Sequence, residues 1–189
     1  MNSLDIDFQK TALVIIDLQK GIAKLPNGQE IVEKAARLVK LFREKAGFIS
    51  FVRVDFHDGQ DRLNPKTDQP VNAVQRPTDW AEFVPELGVG DEDYIVTKRQ
   101  WGAFFGTDLD LQLRRRGIDT IVLCGIATNI GVESTAREAF QLGYDQVFIT
   151  DAMMTNSQEE HEATCKYIFP RIGKVRSVQQ FLSEVNGLA

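Results

Sequence analysis

The chain has 189 residues, a net charge of −5 and two cysteines. That length suits one domain over residues 1–189, able to bury roughly 70% of the surface its unfolded form exposes, so no disulfide framework is expected. Interspersed charges leave no nucleic-acid footprint, the opening MNSLDIDFQK has no signal-peptide pattern, and no apolar run approaches the ~18 residues of a membrane span, so a soluble cytoplasmic protein without nucleic-acid or membrane partners is expected.

Residues 11–16 form an apolar run that ends at Asp17 and predicts a first strand. A helix is predicted over 29–46, where Val32, Ala35, Ala36, Val39 and Phe42 recur on one face and Gly47 supplies the stop. Residues 48–54, rich in β-branched and aromatic types, read as a second strand. The polar, proline-containing stretch 57–79 is too long for a simple connection and reads as a lid or a subunit contact. A third strand is predicted at 94–97, a helix over 107–116 ended by Gly117, and a fourth strand at 120–126. The helix expected over 129–142 would bury Val132, Ala136, Ala139 and Phe140 and stop at Gly143, before a fifth strand at 146–150. Capping-box spacing at Ser157/Glu160 and Ser177/Gln180 starts helices over 158–169 and 178–185, flanking a short strand at 174–176. Six strands alternating with helices specify an α/β fold with a parallel sheet covered on both faces.

Open parallel sheets bind ligands beyond the carboxyl ends of their strands, near the reversal of strand order. The residues that fall there are Asp17, the Asp55/His57 pair, Lys98, the turn from Gly125 to Gly131, and Asp151. Alone, Asp17 reads equally well as a turn cap. Cys124 lies in an apolar strand and Cys165 shares a helix face with Ile168 and Phe169, so both read as core; Thr128 reads as a helix N-cap.

The segment from Lys98 to Met154, KRQWGAFFGTDLDLQLRRRGIDTIVLCGIATNIGVESTAREAFQLGYDQVFITDAMM, closely resembles the cysteine hydrolases of the isochorismatase-like superfamily. Their pattern runs from a lysine through an aromatic and F-x-G-T-x-L to G-[VI]-x-T-x-x-C-V-x-x-T-A-x-x-A. Here the cysteine slot holds Gly131. The resemblance covers nearly the whole chain and implies a three-layer α/β/α Rossmann-like fold with a six-stranded parallel sheet. It also implies that Asp17 and Lys98 are catalytic and that the Ile126–Ala127 peptide is cis. Ile126, Ala127 and Thr128 would meet the substrate, and the turn's amides would form an oxyanion hole. Gln19, Asp55, His57, Trp101 and Phe104 are the further expected substrate contacts. Asp55-Phe56-His57 is similar to the D-x-H of metal-binding nicotinamidases, yet the following loop lacks a further histidine, so neither metal nor cofactor is expected.

A glycine cannot attack a carbonyl. By resemblance, the superfamily's amidases use the cysteine, whereas isochorismatases, which split a vinyl ether, can do without it. The implied function is therefore hydrolysis of an isochorismate-like vinyl ether to pyruvate, with Asp17 as general acid, Lys98 holding the substrate carboxylate and Gly131 leaving room for the ring. The alternatives are a hydrolase of another small amide or ester that uses water at the same site, and a catalytically inactive metabolite-binding member. A homo-oligomer, a dimer or higher, is implied as well.

Overall fold

The computed structural model describes residues 4–68 and 76–187. Strand β1 (Thr11–Ile16) leads through a one-turn helix α1 (Lys20–Ala23) into α2 (Gly28–Glu44), and β2 (Phe48–Val54) and β3 (Tyr94–Lys98) follow. The second half contains α3 (Leu109–Arg115), β4 (Thr120–Ile126), α4 (Glu133–Gln141), β5 (Asp145–Met154), α5 (Gln158–Tyr167), α6 (Phe169–Ile172), β6 (Lys174–Arg176) and α7 (Val178–Asn186). All six strands are parallel, in the order β3-β2-β1-β4-β5-β6, and helices cover both faces, as expected.

Alternation along the strands divides the core in two. Leu13 and Ile15 of β1 pack with Leu38, Phe42 and Phe181 of α2 and α7. Ala12, Val14 and Ile16 face Leu109, Leu113, Ala136 and Ala139 of α3 and α4. A strand buried on both sides has no polar face, which is why 11–16 reads as one apolar run.

Strands β1 and β4 are neighbours in space although β2 and β3 separate them in the chain, so the strand order reverses between them. Their register pairs Ile16 with Gly125, and β2 pairs Val52 with Ile16 from the other side, so Asp17 emerges over the centre of the sheet. Gly125 is indispensable to this packing. Its φ is +126°, and a Cβ there would lie 2.0 Å from the Ile16 carbonyl oxygen.

Four local expectations need correction. Helix α2 ends at Glu44, and Ala46 (φ +52°), not Gly47, takes the left-handed position; a Cβ on Gly47 would instead meet the Phe42 ring at 2.8 Å. The helix expected over 129–142 begins with a π-turn over Thr128–Val132 before α4, and Phe140 at its far end is 52% exposed. The helix expected over 158–169 splits into α5 and α6 around Ile168, where Pro170 cannot donate the hydrogen bond that would continue it. Strand β5 runs on to Met154, and α1 was not legible because a single turn carries no periodicity. Both capping serines are found: Ser157 accepts from the Glu160 amide, and Ser177 with Gln180 completes a reciprocal capping box. The stretch 57–79 is described only at 57–68 and 76–79, so the lid or subunit-contact reading falls partly outside the described residues.

Gly125→Ala is expected to destabilise the fold by about 3 kcal/mol or more, because both the left-handed φ and the Ile16 carbonyl oppose a methyl group. Urea denaturation of the two proteins checks this.

Candidate active site

Three elements deliver the site. Asp17 follows β1 in a left-handed conformation (φ +54°) that aspartate tolerates better than most residues, with its amide donating to the Val52 carbonyl. Lys98 closes β3, two strands away from β1, and reaches back across β2. The turn after β4 carries a cis Ile126–Ala127 peptide, as expected, and Gly131 in the π-turn.

These elements bring together a buried ion pair. The Lys98 ammonium donates to Asp17 Oδ2 at 2.7 Å and to the Gln100 carbonyl at 3.2 Å, with Asp17 only 5% and Lys98 2% exposed. Asp17 Oδ1 is buried without a hydrogen-bond partner among the described residues. Burial raises the Asp17 pKa to about 6 although the Lys98 charge and hydrogen bond oppose the shift. A Cβ on Gly131 would lie 3.2 Å from Asp17 Oδ2, so the cysteine slot faces the carboxyl directly.

A cavity of about 390 Å³ opens on this pair, and Ile126, Ala127, Gly131 and Trp101 line it along with Asp17 and Lys98. Larger hollows exist elsewhere: one of about 540 Å³ adjoins this cavity through Leu25 and Asn156, and one of about 440 Å³ lies at the amino ends of β4 and β5. Neither contains the Asp17–Lys98 pair, so chemistry and not volume selects the site.

Other expected contacts lie elsewhere. Gln19 is fully buried and its amide is already used: Oε1 accepts from the Val54 amide, and Nε2 donates to the carbonyls of Val54 and Trp80. It holds the end of β2 and the Trp80 segment in place and does not line the cavity. Phe104 is 7% exposed, with its ring 5.6 Å from that of Tyr144 in the core, so it is no pocket wall. Thr128 is buried, and its hydroxyl meets His161 Nδ1 at 2.8 Å; the residue in the N-cap conformation is Ala127, which lacks a capping side chain. Asp55 and His57 line a separate shallow hollow of about 290 Å³, which shares Phe56, Arg62, Arg76 and Trp80 with the main cavity. Among the described residues, no three His, Cys, Asp or Glu side chains are grouped to hold a metal ion.

The residues that the sequence did not single out are cationic. Arg62 and Arg76 line the cavity mouth, and neither forms an ion pair among the described residues. The Arg76 guanidinium lies 4.6 Å from the Phe56 ring centroid and 4.3 Å from that of Trp80, and Arg62 lies 5.3 Å from Phe56. Burial, and then repulsion from Arg62, lower the Arg76 pKa. No local pattern marks these arginines; only the length of their loop hinted at a function.

The isochorismatase domain pattern matches residues 11–180. The chain belongs to the isochorismatase family. It is 71% identical over 187 residues to the uncharacterized isochorismatase family protein YwoC of Bacillus subtilis, covering 98% of this chain and 99% of that one. It is 47% identical over 185 residues to the uncharacterized family protein YecD of Escherichia coli O157:H7, covering 95% and 98%. The solved structure of an isochorismatase family protein of Burkholderia thailandensis superposes with a TM-score of 0.91 at 44% identity, over 97% of this chain and 98% of that one. Among the described residues, no helix is long and apolar enough to cross a membrane.

Neither cysteine of this isochorismatase-family chain takes over the Gly131 slot. Cys124 is fully buried in β4, and burial pushes its thiol up to about 12. Cys165 on α5 is half-buried, its thiol pushed to about 11, with His161 Nε2 3.5 Å away. Thiols held above their ordinary range are poor nucleophiles at neutral pH. Treatment of the native protein with iodoacetamide should leave its activity and melting temperature unchanged; inactivation without unfolding would contradict the structure.

Proposed function

We propose that this isochorismatase-family hydrolase cleaves a vinyl ether in an anionic, isochorismate-like substrate and releases pyruvate, without covalent catalysis. The observation that carries the reading is the glycine slot open onto a buried carboxyl whose pKa lies near 6. At pH 7 about one Asp17 in ten retains its proton, enough for a general acid poised close to its working pH.

In this mechanism protonated Asp17 transfers its proton to the terminal methylene carbon of the enol ether, generating an oxocarbenium ion. Water adds to that cation and returns a proton to the Asp17 carboxylate. The resulting hemiketal then collapses to pyruvate and the ring alcohol. Lys98, with two of its N–H groups bound to Asp17 and the Gln100 carbonyl, keeps its third for a substrate carboxylate. Arg62 and Arg76 supply further cationic charge at the mouth, and their aromatic neighbours hold the Arg76 guanidinium in place. The absence of a side chain at Gly131 keeps the approach to the proton donor clear, because even a Cβ there would lie 3.2 Å from Asp17 Oδ2.

The second reading is amide hydrolysis, favoured by 39% identity over 103 residues, 54% of this chain, to a ureidoacrylate amidohydrolase of Acinetobacter baylyi. Without a cysteine, water would attack, and ionised Asp17 would act as its base. The two readings predict opposite pH profiles. A general acid with a pKa near 6 gives a rate that falls about tenfold per pH unit above 6, whereas a general base gives a rate that rises through 6 to a plateau.

Incubation with isochorismate, with pyruvate measured by a coupled assay, tests the first reading. Pyruvate release is expected, falling above pH 6, and lost by at least ~10²-fold in Asp17→Asn. No pyruvate release, or ureidoacrylate hydrolysis rising through pH 6, would overturn it.

A further inference from the structure

The Lys98 ammonium sits at the end of a flexible four-carbon stem, so whatever fixes its acceptors fixes its position. One acceptor is Asp17. The other is the carbonyl of Gln100, in the loop that follows β3. This loop is tied down from α4, the helix that grows out of the Gly131 turn.

Thr135 makes the first tie. Fully buried, its hydroxyl donates to the Gly131 carbonyl at 2.7 Å and accepts the Ala103 amide at 3.1 Å. A threonine hydroxyl often bonds the carbonyl four residues back; here it also takes an amide from another segment. Glu138, one turn along, makes the second tie: its Oε2 accepts the Phe104 amide at 3.0 Å. Gly102 gives that carboxylate its place, because a Cβ there would lie 2.3 Å from Oε2. Inside the loop, the Gln100 amide donates to the carbonyls of Gly102 and Phe105, and the Thr107 hydroxyl donates to the Ala103 carbonyl at 2.6 Å. A continuous set of hydrogen bonds therefore runs from Gly131 through Thr135 and the loop to Gln100, then to Lys98 and Asp17.

We infer that Thr135 and Glu138, which do not line the cavity, are positioning residues that hold Lys98 against Asp17 and set its distance from the Gly131 slot. The inference rests on the reading that the Asp17–Lys98 pair is the reacting centre. Removing the Thr135 hydroxyl takes the acceptor from the buried Ala103 amide, and the loop relaxes to find another. The Gln100 carbonyl moves with it, the ammonium loses an acceptor, and the Asp17 carboxylate loses part of the charge that stabilises its ionised form.

The test needs no substrate, so its failure cannot be confused with failure of the proposed reaction. In the full chain labelled with ¹³C at aspartate carboxyls, the Asp17 signal is assigned by its loss in Asp17→Asn and titrated by NMR. The wild-type midpoint is expected near 6. In Thr135→Val it should rise by about half a pH unit or more, while Thr135→Ser, which keeps the hydroxyl, should return the wild-type value. Should valine not fold, Glu138→Ala carries the test with a smaller rise, since it removes one tie and leaves both Thr135 hydroxyl bonds in place. An unchanged or lowered midpoint in a folded Thr135→Val or Glu138→Ala protein overturns the inference.

Discussion

The site depends on one interaction, the ion pair between Asp17 and Lys98 at 2.7 Å in a place that water barely reaches. Burial and pairing act on the carboxyl in opposite directions, and burial wins. A buried pair of this kind does not stabilise the fold merely by existing, because removing two charges from water can cost more than their attraction returns. The orphaned Oδ1 increases that cost. Selection for stability alone would favour an apolar pair, so the arrangement fits a carboxyl held ready to exchange a proton.

The pair imposes geometric conditions on the rest of the chain. The carboxylate and the ammonium come from strands two positions apart, and the parallel register of β1, β2 and β3 brings their ends level. Gly125 lets the end of β4 approach Ile16, and Gly131 keeps the space beside Asp17 open. Gln19, the neighbour of Asp17 but one, anchors the Trp80 segment on which Arg76 stacks. Polar residues around the site therefore divide between those that face the cavity and those that hold its walls.

Much of this division was not legible in the sequence. Strands buried on both faces declare themselves as apolar runs, so the ends of β1 and β4, and with them Asp17 and the Gly125–Gly131 turn, could be placed from the sequence; Lys98, on the partly exposed edge strand β3, was marked by the family resemblance instead. Direction within a segment is harder to read. Phe104 and Trp101 lie in one short loop, yet one ring packs against Tyr144 and the other is 60% exposed at the cavity, and no periodicity distinguishes them. Phe140 follows the buried Ala136 and Ala139 at helical spacing, but α4 ends there and the ring is left outside. Gln19 and Thr128 show a further limit: a polar side chain near a site can be wholly occupied by the backbone or by a histidine, and only the fold reveals the partner. Arg62 and Arg76 come from an irregular segment and meet the site only in three dimensions.

The central claim is that burial makes the ionised form of Asp17 costly in the folded protein. A carboxyl whose folded pKa is raised contributes stability that is fully present below its unfolded pKa and is lost as pH rises through the folded value. For Asp17 that window runs from 3.8 to about 6. The most direct measurement is the unfolding free energy of the wild type and of Asp17→Asn between pH 4 and pH 7. The difference should shift in favour of asparagine by up to about 3 kcal/mol across that range. A difference that stays flat, or that shifts toward the wild type as pH rises, would show that Asp17 ionises freely and would contradict a proton-donating role.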